Sequence, residues 1–251
     1  MKIAAIIPAR YESTRLPGKV LAEIAGRPMV QHVYERACEC EHLDEVIVAT
    51  DDSRVQDAVC DFGGRCVMTR KDHACGTDRI AEVAARADYD IIVNVQGDEP
   101  LIRPEVIAAA VGPFLEDDTL RMGTVATPIL DEAEHLDPSA VKVVVDRSGF
   151  ALYFSRAPVP YFRTDDDAGF QQRPKAAQPL KHIGLYVYTA ETVLWLSSQP
   201  QTPLEQSEKL EQLRALENGC PIRVVEVDYS PVGVDTPADL QHVREFLEES
   251  E

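Results

Sequence analysis

The chain has 251 residues, 45% apolar and 27% charged, which suits a globular protein with room for one large domain or two small ones. Its 43 acidic residues against 25 basic ones leave a net charge of -18, which opposes non-specific binding to a nucleic-acid backbone. No apolar run approaches the roughly 20 residues of a membrane span and no signal-peptide pattern opens the chain, so a soluble cytoplasmic protein with neither nucleic-acid nor membrane partners is expected.

Residues 3–7 form a short apolar run that predicts a buried first strand. It leads into Pro8, Ala9, Arg10 and onward to Pro17, Gly18 and Lys19, a loop carrying three cations, Arg10, Arg15 and Lys19. In so acidic a chain this loop is either a solvated basic turn or a polyphosphate cradle of backbone N–H groups, Arg forks and a Lys point charge. It is neither a G-x-G-x-x-G fingerprint nor a Walker A loop. Helical spacing over 28–40 puts Val30, Val33 and Ala37 on one face. The six cysteines, Cys38, Cys40, Cys60, Cys66, Cys75 and Cys220, contain no C-x-x-C pair, and free thiols are expected. Residues 45–50 predict a second strand that ends on Asp51-Asp52, and at least one of these carboxylates is expected to cap the helix over 53–62. A third strand follows at 65–69, and then a turn from His73 to Arg79 that opens an alanine-rich helix over 80–87.

Residues 90–95 are apolar enough for a strand buried on both faces, and they run into Gln96-Gly97-Asp98-Glu99-Pro100. Open parallel sheets gather ligands at such strand ends, although a plain turn residue is the other use for Asp98. Pro104 starts a helix. The alternation to this point predicts a mostly parallel, doubly wound α/β sheet. Beyond residue 122 the rhythm changes to strands at 122–129, 141–146 and 149–154, the last two joined by the turn signal Asp146-Arg147-Ser148-Gly149. The polar stretch 161–179 has no periodicity and reads as a lid or a disordered loop, with Asp165-Asp166-Asp167 as a solvated tip. A strand at 182–188, helices at 190–196 and 203–217 and a strand at 221–227 complete the sheet. Thr236 and Pro237 then start the last helix, leaving Asp235 as a second cap or a ligand. One domain over 1–251 is expected, with a β-hairpin and loop insertion at about 140–190 serving dimerisation and closure.

A cationic loop with two separated carboxylates, Asp98 and Asp235, has the parts of a Mg2+-dependent transfer, since Mg2+ is usually held by one or two carboxylates and completed by phosphate and water. Eight strings then carry a resemblance: IPARYESTRLPGK (7–19), ATDD (49–52), GTDR (76–79), VQGDEP (95–100), FSRAPVP (154–160), KHIGLYVY (181–188), LEQLRALENG (210–219) and VGVDTPADL (232–240). They span nearly the whole chain, which resembles the bacterial 3-deoxy-manno-octulosonate (Kdo) cytidylyltransferases. The resemblance implies a nucleotide-diphospho-sugar transferase-like fold and a homodimer. It also implies transfer of CMP from CTP to an anionic 2-keto sugar acid, with release of pyrophosphate, as a cytoplasmic step toward lipopolysaccharide.

Position by position, the resemblance assigns Arg10, Arg15 and Lys19 to the triphosphate, and Pro8, Ala9, Cys75, Gly76, Arg79, Gln96 and Gly97 to the nucleotide and sugar floor. It assigns Asp98 and Asp235 to Mg2+, and Arg156, His182, Tyr186, Glu211 and Gln212 to the sugar-acid pocket. Arg10, Lys19, Asp98 and Asp235 form the expected catalytic set. Arg156 and His182 would supply positive or donor groups, and Gln212 an amide donor. Cys75 departs from the family, where Ser is expected, so a hydroxyl donor is lost. The 8-amino analogue of Kdo stays open as substrate, because one hydroxyl-to-amine change need leave no string. Sialate cytidylyltransferases lack Arg15 to Lys19 in this form. A non-catalytic nucleotide binder would be expected to lack Asp98, Asp235 or Lys19. A GT-A-type glycosyltransferase would need its D-x-D at a strand end, and Asp165 to Asp167 lie in a loop.

Overall fold

The computed structural model of the chain describes residues 1–12, 16–163, 170 and 178–248. In chain order the first half comprises β1 (Ile3–Pro8), β2 (Glu23–Ile24), β3 (Arg27–Pro28), α1 (Met29–Cys38), β4 (Glu45–Thr50), α2 (Ser53–Asp61), β5 (Cys66–Met68), α3 (Gly76–Ala84), β6 (Ile91–Asn94) and α4 (Pro104–Glu116). The second half comprises β7 (Met122–Pro128), α5 (Glu132–Leu136), β8 (Lys142–Val145), β9 (Ala151–Ser155), β10 (Leu180–Thr189), α6 (Ala190–Ser198), α7 (Pro203–Glu208), α8 (Gln212–Glu217), β11 (Ile222–Glu226) and α9 (Pro237–Glu248).

The apolar runs of the first half make the parallel part of one sheet, because strands buried on both faces need no alternation. β6, β1, β4 and β5 lie side by side in that order, with Ile6 opposite both Ile47 and Asn94. The carboxyl ends of β1 and β6 therefore open at the same edge. β10 runs antiparallel between β6 and β7, and its pairing of Tyr186 with Asn94 brings the middle of that strand to the same edge. β11 closes the far side parallel to β7. The expected insertion is present: β8 and β9 form an antiparallel hairpin, and β8 also pairs with the start of β10.

Apolar faces cover the sheet on both sides. Val30, Val33, Val55, Val59, Ile107 and Val111 of α1, α2 and α4 bury against one face. Ile80, Val83, Val193, Leu196 and Leu213 of α3, α6 and α8 bury against the other. A third cluster of Ile24, Met29, Leu101, Val234, Leu240 and Val243 seats α9 beside the small β2–β3 hairpin. That seating holds Asp235 beside the strand ends.

Several sequence expectations need correction. The turn at Gly76 to Arg79 is the first turn of α3, which starts four residues before the expected helix. The region expected as one helix over 203–217 is two, α7 and α8, separated where Lys209 takes φ 55°. Neither α5 nor the β2–β3 pair was anticipated. Asp52 caps α2 as expected, its carboxylate accepting from the Arg54 N–H at 2.9 Å. Thr236 and Asp239 exchange bonds at the start of α9, Thr236 N to Asp239 Oδ2 at 2.8 Å and Asp239 N to Thr236 Oγ1 at 3.3 Å. All six cysteines are free. Most of the expected lid, including Asp165 to Asp167, lies outside the described residues. No helix among the described residues is long and apolar enough to cross a membrane.

Candidate active site

At one end of the cleft the chain leaves β1 at Pro8 and returns through Gly18, whose φ of 70° suits glycine and whose N–H closes the loop on the Tyr11 carbonyl at 2.9 Å. Lys19 follows at the head of a short 3-10 turn. Its ammonium donates to Asp98 Oδ2 at 2.6 Å, to Asp235 Oδ1 at 3.0 Å and to the Val234 carbonyl at 3.0 Å. The Val234 N–H also donates to the Asp98 carbonyl at 2.9 Å, tying the turn after β6 to the entry of α9. The structure thus brings the two carboxylates together on one cation, Lys19. Burial alone would lower the Lys19 pKa, but the two carboxylates outweigh it and raise the pKa above its ordinary value.

Gly97 lies against Pro8, and a Cβ there would come 3.1 Å from the Pro8 carbonyl oxygen, so any side chain would push the turns after β1 and β6 slightly apart. Arg10 Nη2 donates to the His73 carbonyl at 2.9 Å, tying the cationic loop to the segment before α3. Pro8, Arg10, Lys19, Gly76, Gly97 and Asp98 are among the residues that line a cavity of about 360 Å³. Gly76 is the first residue of α3, so this cavity meets the N-terminus of a nine-residue helix, an electrostatically favourable place for an anion. The carboxylates of Asp98 and Asp235, which meet on Lys19, are hard oxygen donors that could hold a divalent ion of the Mg2+ kind. Among the described residues no group of three or more His, Cys, Asp or Glu gathers, so phosphate and water would complete the shell.

A second cavity of about 490 Å³ shares Gly76, Gln96 and Asp235 with the first, so the two are halves of one cleft. Arg156, Tyr186, Glu211 and Gln212, which the sequence grouped together, line it side by side. The break at Lys209 sets Glu211 and Gln212 at the start of α8. Gln212 is 4% exposed, and its Nε2 has no hydrogen-bond partner among the described residues. A buried donor left unmade in this way costs about 1–3 kcal/mol unless a ligand takes it up. Arg156 is braced by Nε on the Glu208 carbonyl at 2.8 Å and Nη1 on the Pro138 carbonyl at 3.0 Å. Behind it the fully buried Lys142 donates to the Arg156 carbonyl at 2.8 Å. Burial, and then Glu211, push the Tyr186 phenol far above its ordinary range, so it stays a donor.

Five expected site residues line neither cavity, or fall outside the described residues. His182 stands behind Tyr186, with Nε2 3.0 Å from Thr124 Oγ1 and its ring 5.0 Å from Phe154 and 5.3 Å from Tyr186. Burial pushes its pKa down to about 3, so of the two expected uses, a positive charge or a donor, only that of a neutral ring is left to it. Arg79 is wholly buried; it bonds the Thr69 hydroxyl, pairs with Asp51 at 3.3 Å, and faces neither cavity. Ala9 is fully buried, and its N–H donates to the Ala49 carbonyl at 2.9 Å. Cys75 caps α3, and burial, then Glu211, push its thiol up to about 12. Arg15 lies outside the described residues.

Glu12, Asn94 and Lys209 also line the cleft without having been singled out from sequence. Glu99, beside Asp98, has its carboxyl pushed up to about 8 by burial and then by Asp98. Its place inside the VQGDEP string was the available signal.

A family profile described as cytidylyltransferase matches residues 4–226. A 3-deoxy-manno-octulosonate cytidylyltransferase of Syntrophotalea carbinolica is 57% identical over 98% of this chain and 99% of that one. The protein of the same name from Geobacter sulfurreducens is 55% identical over 98% and 100%. A solved structure of CMP:2-keto-3-deoxy-manno-octonic acid synthetase complexed with CTP is 45% identical and superposes with a TM-score of 0.93 over the whole of both chains. A 4-diphosphocytidyl-2C-methyl-D-erythritol synthase from Anaerococcus prevotii, 14% identical with a TM-score of 0.64, is similar in fold alone.

Proposed function

The chain belongs to the 3-deoxy-manno-octulosonate cytidylyltransferase family, and from that premise we propose that it makes CMP-Kdo from CTP and Kdo, a cytoplasmic step toward lipopolysaccharide. The observation that carries the proposal is the two-part cleft, whose halves meet at Gly76, Gln96 and Asp235. A triphosphate laid along the first half and a sugar acid in the second would bring the α-phosphorus and the anomeric oxygen to that junction. The anomeric oxygen attacks the α-phosphorus, the bond to the β-phosphate breaks, and pyrophosphate leaves while the hydroxyl proton is lost to solvent or base.

In this reading Arg10 and Lys19 neutralise the triphosphate, and the helix start at Gly76 adds backbone donors. Arg156 and Gln212 take the sugar carboxylate, and Tyr186 donates from a phenol that burial keeps protonated. Asp98 and Asp235 would hold Mg2+, whose charge, when bound, offsets the polyphosphate and favours ionisation of the attacking hydroxyl. Glu211, a carboxylate in the sugar half, supports the second reading, in which an amine replaces the hydroxyl at carbon 8. A homodimer is supported by Leu136 and Leu152, 59% and 61% exposed in and beside the hairpin insertion. Pyrophosphate release with CTP is the test, run with Kdo, its 8-amino analogue and the C1 amide of Kdo. Rapid turnover of Kdo and almost none of the amide is expected. Equal kcat/KM for acid and amide would refute a pocket that reads the carboxylate.

A further inference from the structure

The loop that delivers Lys19 is fastened from outside the cleft. Arg54, in the first turn of α2, is 58% exposed in its side chain, yet one edge of its guanidinium is held by both carboxylate oxygens of Asp52, Nε to Oδ1 at 2.9 Å and Nη2 to Oδ2 at 2.6 Å. Fixed in this way, the guanidinium lies 3.4 Å over the Tyr11 ring. Tyr11 also meets Gly18, where a Cβ would fall 3.2 Å from Cζ and the phenol oxygen, so the ring occupies the space a side chain would need. The Gly18 N–H bonds the Tyr11 carbonyl at 2.9 Å, and Lys19 is the next residue. Arg10 and Glu12, on either side of Tyr11, line the triphosphate half of the cleft, whereas Tyr11 does not.

We propose that the stack of Arg54 on Tyr11 on Gly18 is a positioning device for the triphosphate loop, fixing where Lys19 enters the cleft without touching substrate. Asp52 does two things at once: it caps α2 through the Arg54 N–H and aims the guanidinium of the same residue. A planar guanidinium stacks on an aromatic face, which the point charge of lysine does only partly. Replacing the guanidinium by alanine or lysine leaves the backbone cap intact, because both residues keep that N–H. The consequence is confined to the loop: the ring loses its cover, the turn at Gly18 samples other arrangements, and Lys19 reaches the phosphates in a smaller fraction of molecules.

The inference rests on the reading of this cleft as a CTP site, so its test has one arm that needs no turnover. In the protein without substrate, hydrogen exchange at the Gly18 and Lys19 amides should speed up about two- to fivefold in Arg54→Ala, matching the strength of an exposed cation–π contact. Tyr11→Leu should show the same increase, and Tyr11→Phe, which keeps the ring, should behave as wild type. In the second arm, KM for CTP should rise by a similar factor in Arg54→Ala and Tyr11→Leu, with KM for the sugar acid unchanged and Arg54→Lys intermediate. Unaltered exchange at Gly18 and Lys19 in Arg54→Ala, or equal loss for both substrates, overturns the proposal. A wild-type protein inactive with CTP would sink the functional reading, and the exchange arm would still decide the clamp.

Discussion

The two halves of the cleft hold their polar groups in different ways. The half proposed for the triphosphate pairs its charges: Lys19 between Asp98 and Asp235, Arg10 on the His73 carbonyl, and a helix start at Gly76. The half proposed for the sugar acid mixes the charged Arg156, Lys209 and Glu211 with neutral donors: Tyr186 stays protonated, the buried Gln212 Nε2 has no partner among the described residues, and a neutral His182 packs behind Tyr186. One half can exchange its ions for those of a ligand, while the other holds donors in fixed places and penalises a ligand that cannot use them. The backbone follows the same division, since the first half sits on parallel strand ends and the second on the antiparallel β10 and the start of α8.

The largest expected effect breaks the charged half. Asp98→Asn and Asp235→Asn should each lower kcat by about 10²–10³ or more while circular dichroism shows a native fold, because the lost charge acts mainly in the transition state. Near-normal Mg2+-dependent rates in either variant would remove both residues from the chemistry. Next comes Lys19→Ala, which should raise KM for CTP by roughly tenfold to a hundredfold, the equivalent of one charge-assisted contact of about 1.5–3 kcal/mol, and leave the sugar acid little changed. Steady-state kinetics with each substrate varied in turn would show the asymmetry.

On the sugar side, Gln212→Leu should raise KM for the sugar acid by roughly tenfold and spare CTP. The same variant should not lose thermal stability, since the Nε2 donor it removes has no hydrogen-bond partner among the described residues. A large fall in Tm would mean that Gln212 is held for the fold rather than for a ligand. The smallest effect concerns pH. The His182 imidazole titrates near 3 in the folded protein against 6.5 ordinarily, so between those values the unfolded chain binds the extra proton. Its contribution to stability is complete above about 6.5 and is lost as pH falls toward 3. Urea midpoints for wild type and His182→Gln should therefore converge as pH falls across that window; parallel curves would show that burial does not depress this imidazole.

The same division explains what could be read from sequence. The charged half was legible because its parts sit at strand ends: β1, β6 and the glycines after them announce themselves by apolar runs and turn residues. The sugar half was legible mainly through resemblance. The break between α7 and α8 contains neither Gly nor Pro, and a lysine at φ 55° has no signature in an otherwise helical pattern. Cys75 is an unusual cap, so the start of α3 was placed four residues late. Arg79 looked available because its string is shared with the family, and only the folded chain shows it buried beside Asp51 and Thr69. His182 was expected to be positive or a donor, and only the folded chain shows that burial keeps its ring neutral. The elements α5 and β2–β3 are too short for periodicity to reveal.

Hydrogen exchange with CTP alone, followed by addition of Kdo, tests the two-part cleft most directly. CTP by itself should slow exchange at residues 16–20, 76–80 and 96–98 and leave 208–213 and 182–186 as in the free protein, and Kdo should then protect those two segments. Protection of 208–213 by CTP alone, with none at 16–20, would contradict the division of the site.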